Sequence, residues 1–180
     1  MRTREPGGSS GAEAIRALLV TGDPGRWDAE TEALLVYAAR RDHVVRTIAP
    51  ALARGAWVLC DRFADSTMAY QGYGHGLGRA FVETLHRLVL GGLAPDLTLV
   101  LDLPVADGLA RAGRRSGAET RFERMDIAFH ERLRAGFHEI ARREPARCVM
   151  IDARPGPDEV ERAVVATLDS RFTRPGLAPQ

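Results

Sequence analysis

Lysine is absent from this chain: all 25 of its basic residues are arginine. Base composition of the coding sequence explains such a bias without any function, but the chemical consequence stands. No step here can use a lysine ammonium, and every fixed cation is a guanidinium, whose planar donor fork suits carboxylates and phosphates. Cysteine is nearly absent too, with two residues, and five scattered histidines complete the set of soft ligands, so no protein-held zinc site is expected. Cys60 and Cys148 both lie in apolar runs and are expected to be buried free thiols of a cytoplasmic protein rather than a disulfide. No apolar run approaches the roughly 18 residues of a membrane span, and no signal peptide is expected at the start. A formal charge of +1, with 27% charged residues, gives no reason to expect nucleic acid or a membrane as partner.

What is present is enough apolar sequence for one core: 45% of 180 residues. Three β-branched or apolar runs read as buried strands: Trp57 to Cys60, Leu97 to Leu103 and Cys148 to Ile151. Met1-Arg2-Thr3 reads as the end of another. Helical patterns lie between them. Ala12 to Leu19 follows a turn in which Ser9 or Ser10 offers an N-cap. A long helix is expected from about Asp28 to Ala53, with Leu34, Leu35, Ala38, Val45 and Ile48 as its apolar face and a kink near Ala49 imposed by Pro50. Phe81 to Val89 ends at Gly91-Gly92, Pro104 opens a helix through Leu109, and the Phe129–Ile140 and Val160–Leu168 stripes complete the set. Strands alternating with helices predict an open, mostly parallel α/β sheet flanked by helices. One domain over 1–172 is expected, with a flexible tail at 173–180.

The segment Asp61-Arg62-Phe63-Ala64-Asp65-Ser66-Thr67-Met68-Ala69-Tyr70-Gln71 carries the most chemistry. A carboxylate and a guanidinium at the carboxyl end of a strand sit where α/β sheets bind ligands. An isolated Asp-Arg pair there reads equally as a surface ion pair. A second segment, Thr3-Arg4-Glu5-Pro6-Gly7-Gly8, places another such pair beside a glycine turn. A third, Ala94-Pro95-Asp96-Leu97-Thr98-Leu99-Val100-Leu101-Asp102, leads into a glycine- and arginine-bearing loop from about 111 to 123.

In order and spacing these three segments resemble the thymidylate kinases of the P-loop nucleoside-monophosphate kinase family, over nearly the whole chain. The resemblance implies transfer of the γ-phosphoryl group of ATP to dTMP, giving dTDP for dTTP synthesis, with Mg²⁺, in a homodimeric cytoplasmic enzyme whose long helix forms the interface. It implies that Arg62 clamps the acceptor phosphate and that Asp61 orients it or joins the magnesium shell. Arg4 and Glu5 would line the same pocket, and Arg40 would contact thymine. Ser66, Thr67, Tyr70 and Gln71 would complete the thymidine site, although Tyr70 also reads as a buried core tyrosine. The 111–123 loop would be the lid, with Arg114 or Arg115 neutralising phosphates as an internal arginine finger and Arg121 supporting the closed form.

Three departures from the family pattern matter. The family's Gly-x-x-x-x-Gly-Lys-Ser/Thr donor-phosphate loop does not occur here, nor do its strand and helix. Met1 is expected to be internal to a longer kinase; the competing reading is a chain that has lost activity and serves as a dTMP-binding or assembly module. Val36 stands where an aromatic ring usually stacks on thymine, a contact worth roughly 1–3 kcal/mol in analogous sites. Tyr37 points about 100° away around the helix, and a related kinase of different base specificity is the third reading. Thr120 replaces the usual aspartate before the Arg-Phe-Glu run.

Overall fold

The computed structural model describes residues 1–113 and 121–172. Four strands are present among the described residues: β1 (Arg2–Arg4), β2 (Leu59–Asp61), β3 (Thr98–Asp102) and β4 (Cys148–Asp152). All pairing is parallel, as expected, but among the described residues it forms two separate two-stranded pairs, β1–β2 and β3–β4. Each of β2 and β3 therefore has one edge with no strand partner among the described residues. Leu59 and Leu101 on those strands are 67% and 56% exposed. The expectation of a buried strand from Trp57 to Cys60 needs correction on both counts. The strand begins two residues later, and Trp57 lies outside it, 70% exposed, with its ring edge-on to Phe172 at 4.9 Å.

The helices follow local signals closely. Ser9 caps α1 (Ser10–Val20) and Asp28 caps α2 (Ala29–His43) through side-chain acceptors, as their chemistry favours. Pro50 acts upstream of itself. Residues Val44–Ile48 open into a π turn, with the Ala49 N–H reaching Val44 O, before α3 (Ala49–Ala53) resumes. The wider turn makes room where the proline ring would meet a carbonyl one turn back. After β2 come α4 (Ala64–Thr67) and a second π turn, Met68–Gly74, which the sequence did not suggest. Then α5 (Arg79–Leu90) ends at Gly91, whose φ of 66° favours glycine. The remaining helices are α6 (Val105–Ala112), α7 (Ile127–Arg143) and α8 (Pro157–Phe172).

The core joins α2, the second π turn, α5, α7 and β4 through Tyr37, Met68, Ala69, Val82, Ile140, Ala141 and Cys148. The π turn packs closely on α7 because a Cβ on Gly136 would fall 2.8 Å from the Tyr73 ring. Asp65, at the head of α4, ties the two strand pairs together. It accepts two hydrogen bonds from Arg147, at 2.7 and 2.8 Å, and one from Thr98 at 2.8 Å. Burial would push the Asp65 carboxyl up, but Arg147 and Thr98 outweigh it and hold it below its ordinary value.

The buried face of the long helix is not the expected one. Leu34, Ala38 and Val45 are exposed, while Glu32, Tyr37, Arg40 and His43 are buried with Ile48. Local periodicity mistook an outward apolar stripe for the inward face. The inward face mixes Ala33, Ala39 and Val44 with charged residues, which can be buried because they find partners elsewhere in the chain.

Candidate active site

A cavity of about 410 Å³ opens between the carboxyl ends of β2 and β3, within the size range of small-ligand sites. Its lining includes Glu5, Val36, Arg40, Arg62, Ser66, Thr67, Tyr70 and Gln71, so eight residues from three distant stretches converge. Glu5 arrives on the loop after β1, Val36 and Arg40 on one face of α2, and the rest on the segment from Arg62 through the second π turn.

The floor is a buried hydrogen-bonded chain. Arg40 Nε donates to Glu5 Oε2 at 2.6 Å and Arg40 Nη2 to Thr67 Oγ1 at 2.8 Å. The other Glu5 oxygen meets His43 Nδ1 at 3.0 Å, and His43 Nε2 meets Thr3 Oγ1 at 2.7 Å. Arg40 is 2% exposed and its guanidinium lies between the rings of Tyr37 and Phe63, at 4.7 and 5.2 Å. Its remaining nitrogen, Nη1, is buried with no hydrogen-bond partner. Leaving such a donor unmet costs stability, and it belongs to a residue that lines the cavity.

The mouth is different. Arg62 is an exposed residue with φ at 69°, a left-handed conformation uncommon for a side-chain-bearing residue. That turn ends β2 and carries the guanidinium over the Tyr70 ring at 5.0 Å. Tyr70 in turn meets the edges of Phe122 and Phe129 at 5.3 and 6.1 Å. It therefore lines the cavity from an aromatic cluster rather than lying under the sheet.

Other sequence-predicted residues sit apart. Arg4 turns outward to Glu13 at 3.1 Å and does not line the cavity. Asp61 is exposed at the end of β2, outside the lining. Arg121 is buried, and its donors reach the carbonyls of Leu19, Asp23 and Pro24 and the Glu32 carboxylate. It fastens the chain at residue 121 to the loop after α1, and these partners occupy its donors. Gln71 Nε2 also donates to Glu32, at 2.7 Å. His75 Nε2 approaches the same carboxylate at 3.0 Å but off the hydrogen-bonding direction, so it acts as a polar neighbour rather than a made bond. Burial would raise the Glu32 carboxyl, yet His75, Gln71 and Arg121 together hold it below its ordinary value. Arg114 and Arg115 lie outside the described residues, as does the tail 173–180.

Sequence reasoning passed over Glu32, His43, Phe63, Phe122 and Arg134. Arg134 lines the cavity and grips Asp102 at the end of β3 with two hydrogen bonds of 2.8 Å. Glu32 and His43 could have been noticed as polar residues at inward helical spacing from Tyr37 and Arg40. The contacts that explain them join residues far apart in the chain.

Cys60 is half-buried, and burial pushes its thiol up to about 12; Cys148 is buried and raised to about 11, mainly by the same cause. With Glu5 and His43, Cys60 forms a cluster of metal-ligand types. A cation there would have to displace Arg40 from Glu5 and deprotonate that thiol, so the donor set does not suit one.

Comparison with known proteins decides what this site belongs to. Residues 1–164 match the family model described as "Thymidylate kinase". The chain belongs to the thymidylate kinase family. It is 62% identical over 162 residues to the thymidylate kinase of Caulobacter vibrioides, covering 90% of this chain and 77% of that protein. With the thymidylate kinase of Cereibacter sphaeroides it shares 54% identity over 170 residues, 92% of this chain and 78% of the relative. The crystal structure of thymidylate kinase from Ehrlichia chaffeensis superimposes with a TM-score of 0.74 at 33% identity, covering 93% of this chain and 80% of the other. The family fixes the fold as α/β of the nucleotide-kinase type, with parallel strands flanked by helices, and the enzyme class as nucleoside-monophosphate kinase.

Proposed function

We propose that the cavity is the dTMP site of a thymidylate kinase and that the reaction is phosphoryl transfer from ATP to dTMP, giving dTDP. The observation that carries this reading is the unpaired Arg40 Nη1 at the floor of a cavity whose mouth holds Arg62. The floor donor suits a base carbonyl. Arg62 suits the 5′-phosphate, through paired hydrogen bonds to its oxygens. Ser66, Thr67 and Tyr70 then flank the sugar, with the Tyr70 aromatic cluster crowding the place of a 2′-hydroxyl. Gln71 and Arg121, both joined to Glu32, position the wall rather than touch the ligand. Residues 111–123 act as the lid of a single domain, with Arg114 and Arg115 offsetting phosphate charge as it closes.

Phosphoryl transfer needs two polyanions held in line with their charge offset. Magnesium bound with ATP would supply positive charge against the charge developing on the phosphates. The exposed carboxylate of Asp61 is a hard oxygen donor of the type it takes, at the strand end nearest Arg62, so the residues fit. Arg4, paired with Glu13 at 3.1 Å beside the same strand end, would have to leave that carboxylate to meet a phosphate. A donor-phosphate lysine is not available among the 180 residues.

We further assign the outward stripe on the long helix to a homodimer interface. Leu34, Ala38, Val45, Ala49 and Leu52 recur at helical spacing and are all exposed, an apolar seam that water disfavours. No described helix is long and apolar enough to cross a membrane, and a cytoplasmic location is proposed with the activity. Glutamate in place of Val45 is expected to shift sedimentation from dimer to monomer.

The test of function is dTDP formation from ATP and dTMP. It is run on the 180-residue chain and on a version carrying a family glycine-loop strand and helix upstream. The extended protein is expected to prefer dTMP over dUMP, dCMP and dGMP, and the shorter chain to turn over far more slowly. Preference for another monophosphate would reject the substrate.

A further inference from the structure

The buried histidine behind the site has no place in the phosphoryl-transfer scheme, yet it is fully buried at 0% exposure. We infer that His43 is a positioning residue that sets base recognition: it fixes the Glu5 carboxylate, which orients the Arg40 guanidinium at the floor of the cavity. The inference rests on the proposed dTMP reading of that cavity.

The geometry leaves little freedom. Glu5 has two carboxylate oxygens, one taken by Arg40 Nε and the other by His43 Nδ1. With the proton on Nδ1, the ring donates to Glu5 while Nε2 accepts from the Thr3 hydroxyl, and both contacts are satisfied together. Deleting the ring contact frees the carboxylate to rotate about its last torsion, and the Arg40 fork follows it. Thr67 then holds Arg40 by a single hydrogen bond, and the Tyr37 and Phe63 rings keep the plane of the guanidinium but not its rotation within that plane.

A second feature seals the arrangement. A Cβ on Gly8 would lie 2.3 Å from His43 Nε2 and 2.5 Å from Thr3 Oγ1. Gly8 also has φ at 84°. Only a glycine lets the loop close over the ring, and the Thr47 hydroxyl pins it there by donating to Gly8 O at 2.8 Å. The loop after β1 thus keeps water from replacing either imidazole contact.

The test is calorimetric, on the 180-residue chain, with two ligands: dTMP, and 2-deoxyribose 5-phosphate, which lacks the base. Loss of the aligned charged hydrogen bond is expected to weaken dTMP about tenfold in His43→Leu. Affinity for 2-deoxyribose 5-phosphate is expected to stay unchanged. Asparagine places its amide nitrogen where Nδ1 was, and glutamine where Nε2 was. His43→Asn is therefore expected to recover dTMP affinity to within about twofold of the parent, and His43→Gln is not. If His43→Leu does not fold, the Asn–Gln contrast decides by itself. Equal dTMP affinity in the Asn and Gln variants overturns the inference. So does an equal loss of both ligands, which marks a general loosening of the pocket. Failure of the unsubstituted chain to prefer dTMP over the base-free phosphate overturns the dTMP reading itself and the positioning role with it.

Discussion

Two regions beside the cavity are built to different standards. On the acceptor side, Glu5, Glu32, Arg40, His43, Thr67 and Gln71 are buried and joined by hydrogen bonds, with Arg40 Nη1 as the outstanding donor. On the other, β2 and β3 each present an edge unpaired among the described residues, and Leu59 and Leu101 face outward. A buried polar network is stable only when nearly every member is satisfied, so the acceptor side stands as a finished recognition surface. Unpaired strand edges and exposed leucines are the marks of a surface that something else covers. The contrast separates binding of the acceptor, which these residues support, from handling of ATP, for which they lack a lysine.

The largest expected effect probes the acceptor side. Arg121→Leu leaves the Glu32 charge buried without its partner, and removing one member of such a pair costs about 3–5 kcal/mol. Urea unfolding measures it, although Arg121 need touch no ligand. Acid does the same more gradually. Glu32 and Asp65 are both held below their ordinary values, so their contribution is complete above the unfolded carboxyl range. It is lost as pH falls through the folded values, and the unfolding midpoint is expected to drop below about pH 4.5.

Next in size is Arg62→Ala. Removal of a bidentate charged contact is expected to weaken dTMP about a hundredfold, or roughly 2.7 kcal/mol. Lysine is not expected to restore it, because an ammonium cannot reproduce the fork. A smaller effect of opposite sign is expected from Val36→Phe. An aromatic ring at the cavity wall should tighten dTMP by about 1 kcal/mol through stacking on the base, read by the same titration. Smallest of all is Leu101→Thr on the other side, expected to change stability by less than about 0.5 kcal/mol because that side chain is already in water. A large loss there would erase the distinction between the two sides.

Much of the fold was legible locally. Ser9 and Asp28 were read or bracketed as helix starts, Gly91 as a helix end and Pro50 as a disturbance, because each acts within one turn of itself. Residues 61–71 and Glu5 were legible through their resemblance to the thymidylate kinase pattern, because a strand-end Asp-Arg pair alone reads equally as a surface ion pair. The inward face of α2 was not. Glu32 and Arg121 are 89 residues apart, and His43 and Glu5 are 38 apart, so nothing nearby marks these polar residues as paired. Periodicity therefore gave the inward face to Leu34 and Val45, which are exposed. The π turns were also invisible, since their widened hydrogen-bonding pattern leaves no compositional mark. Arg121 stands out in the sequence by its charge, but its burial and its carbonyl partners are unreadable there.

Titration of the 180-residue chain with dTMP and with thymidine, in the absence of ATP, tests the central claim most directly. The account predicts one-to-one binding of dTMP, thymidine weaker by about a hundredfold, and collapse of that difference in Arg62→Ala. Equal affinity for the two ligands, or no binding of dTMP at all, would contradict a finished acceptor site.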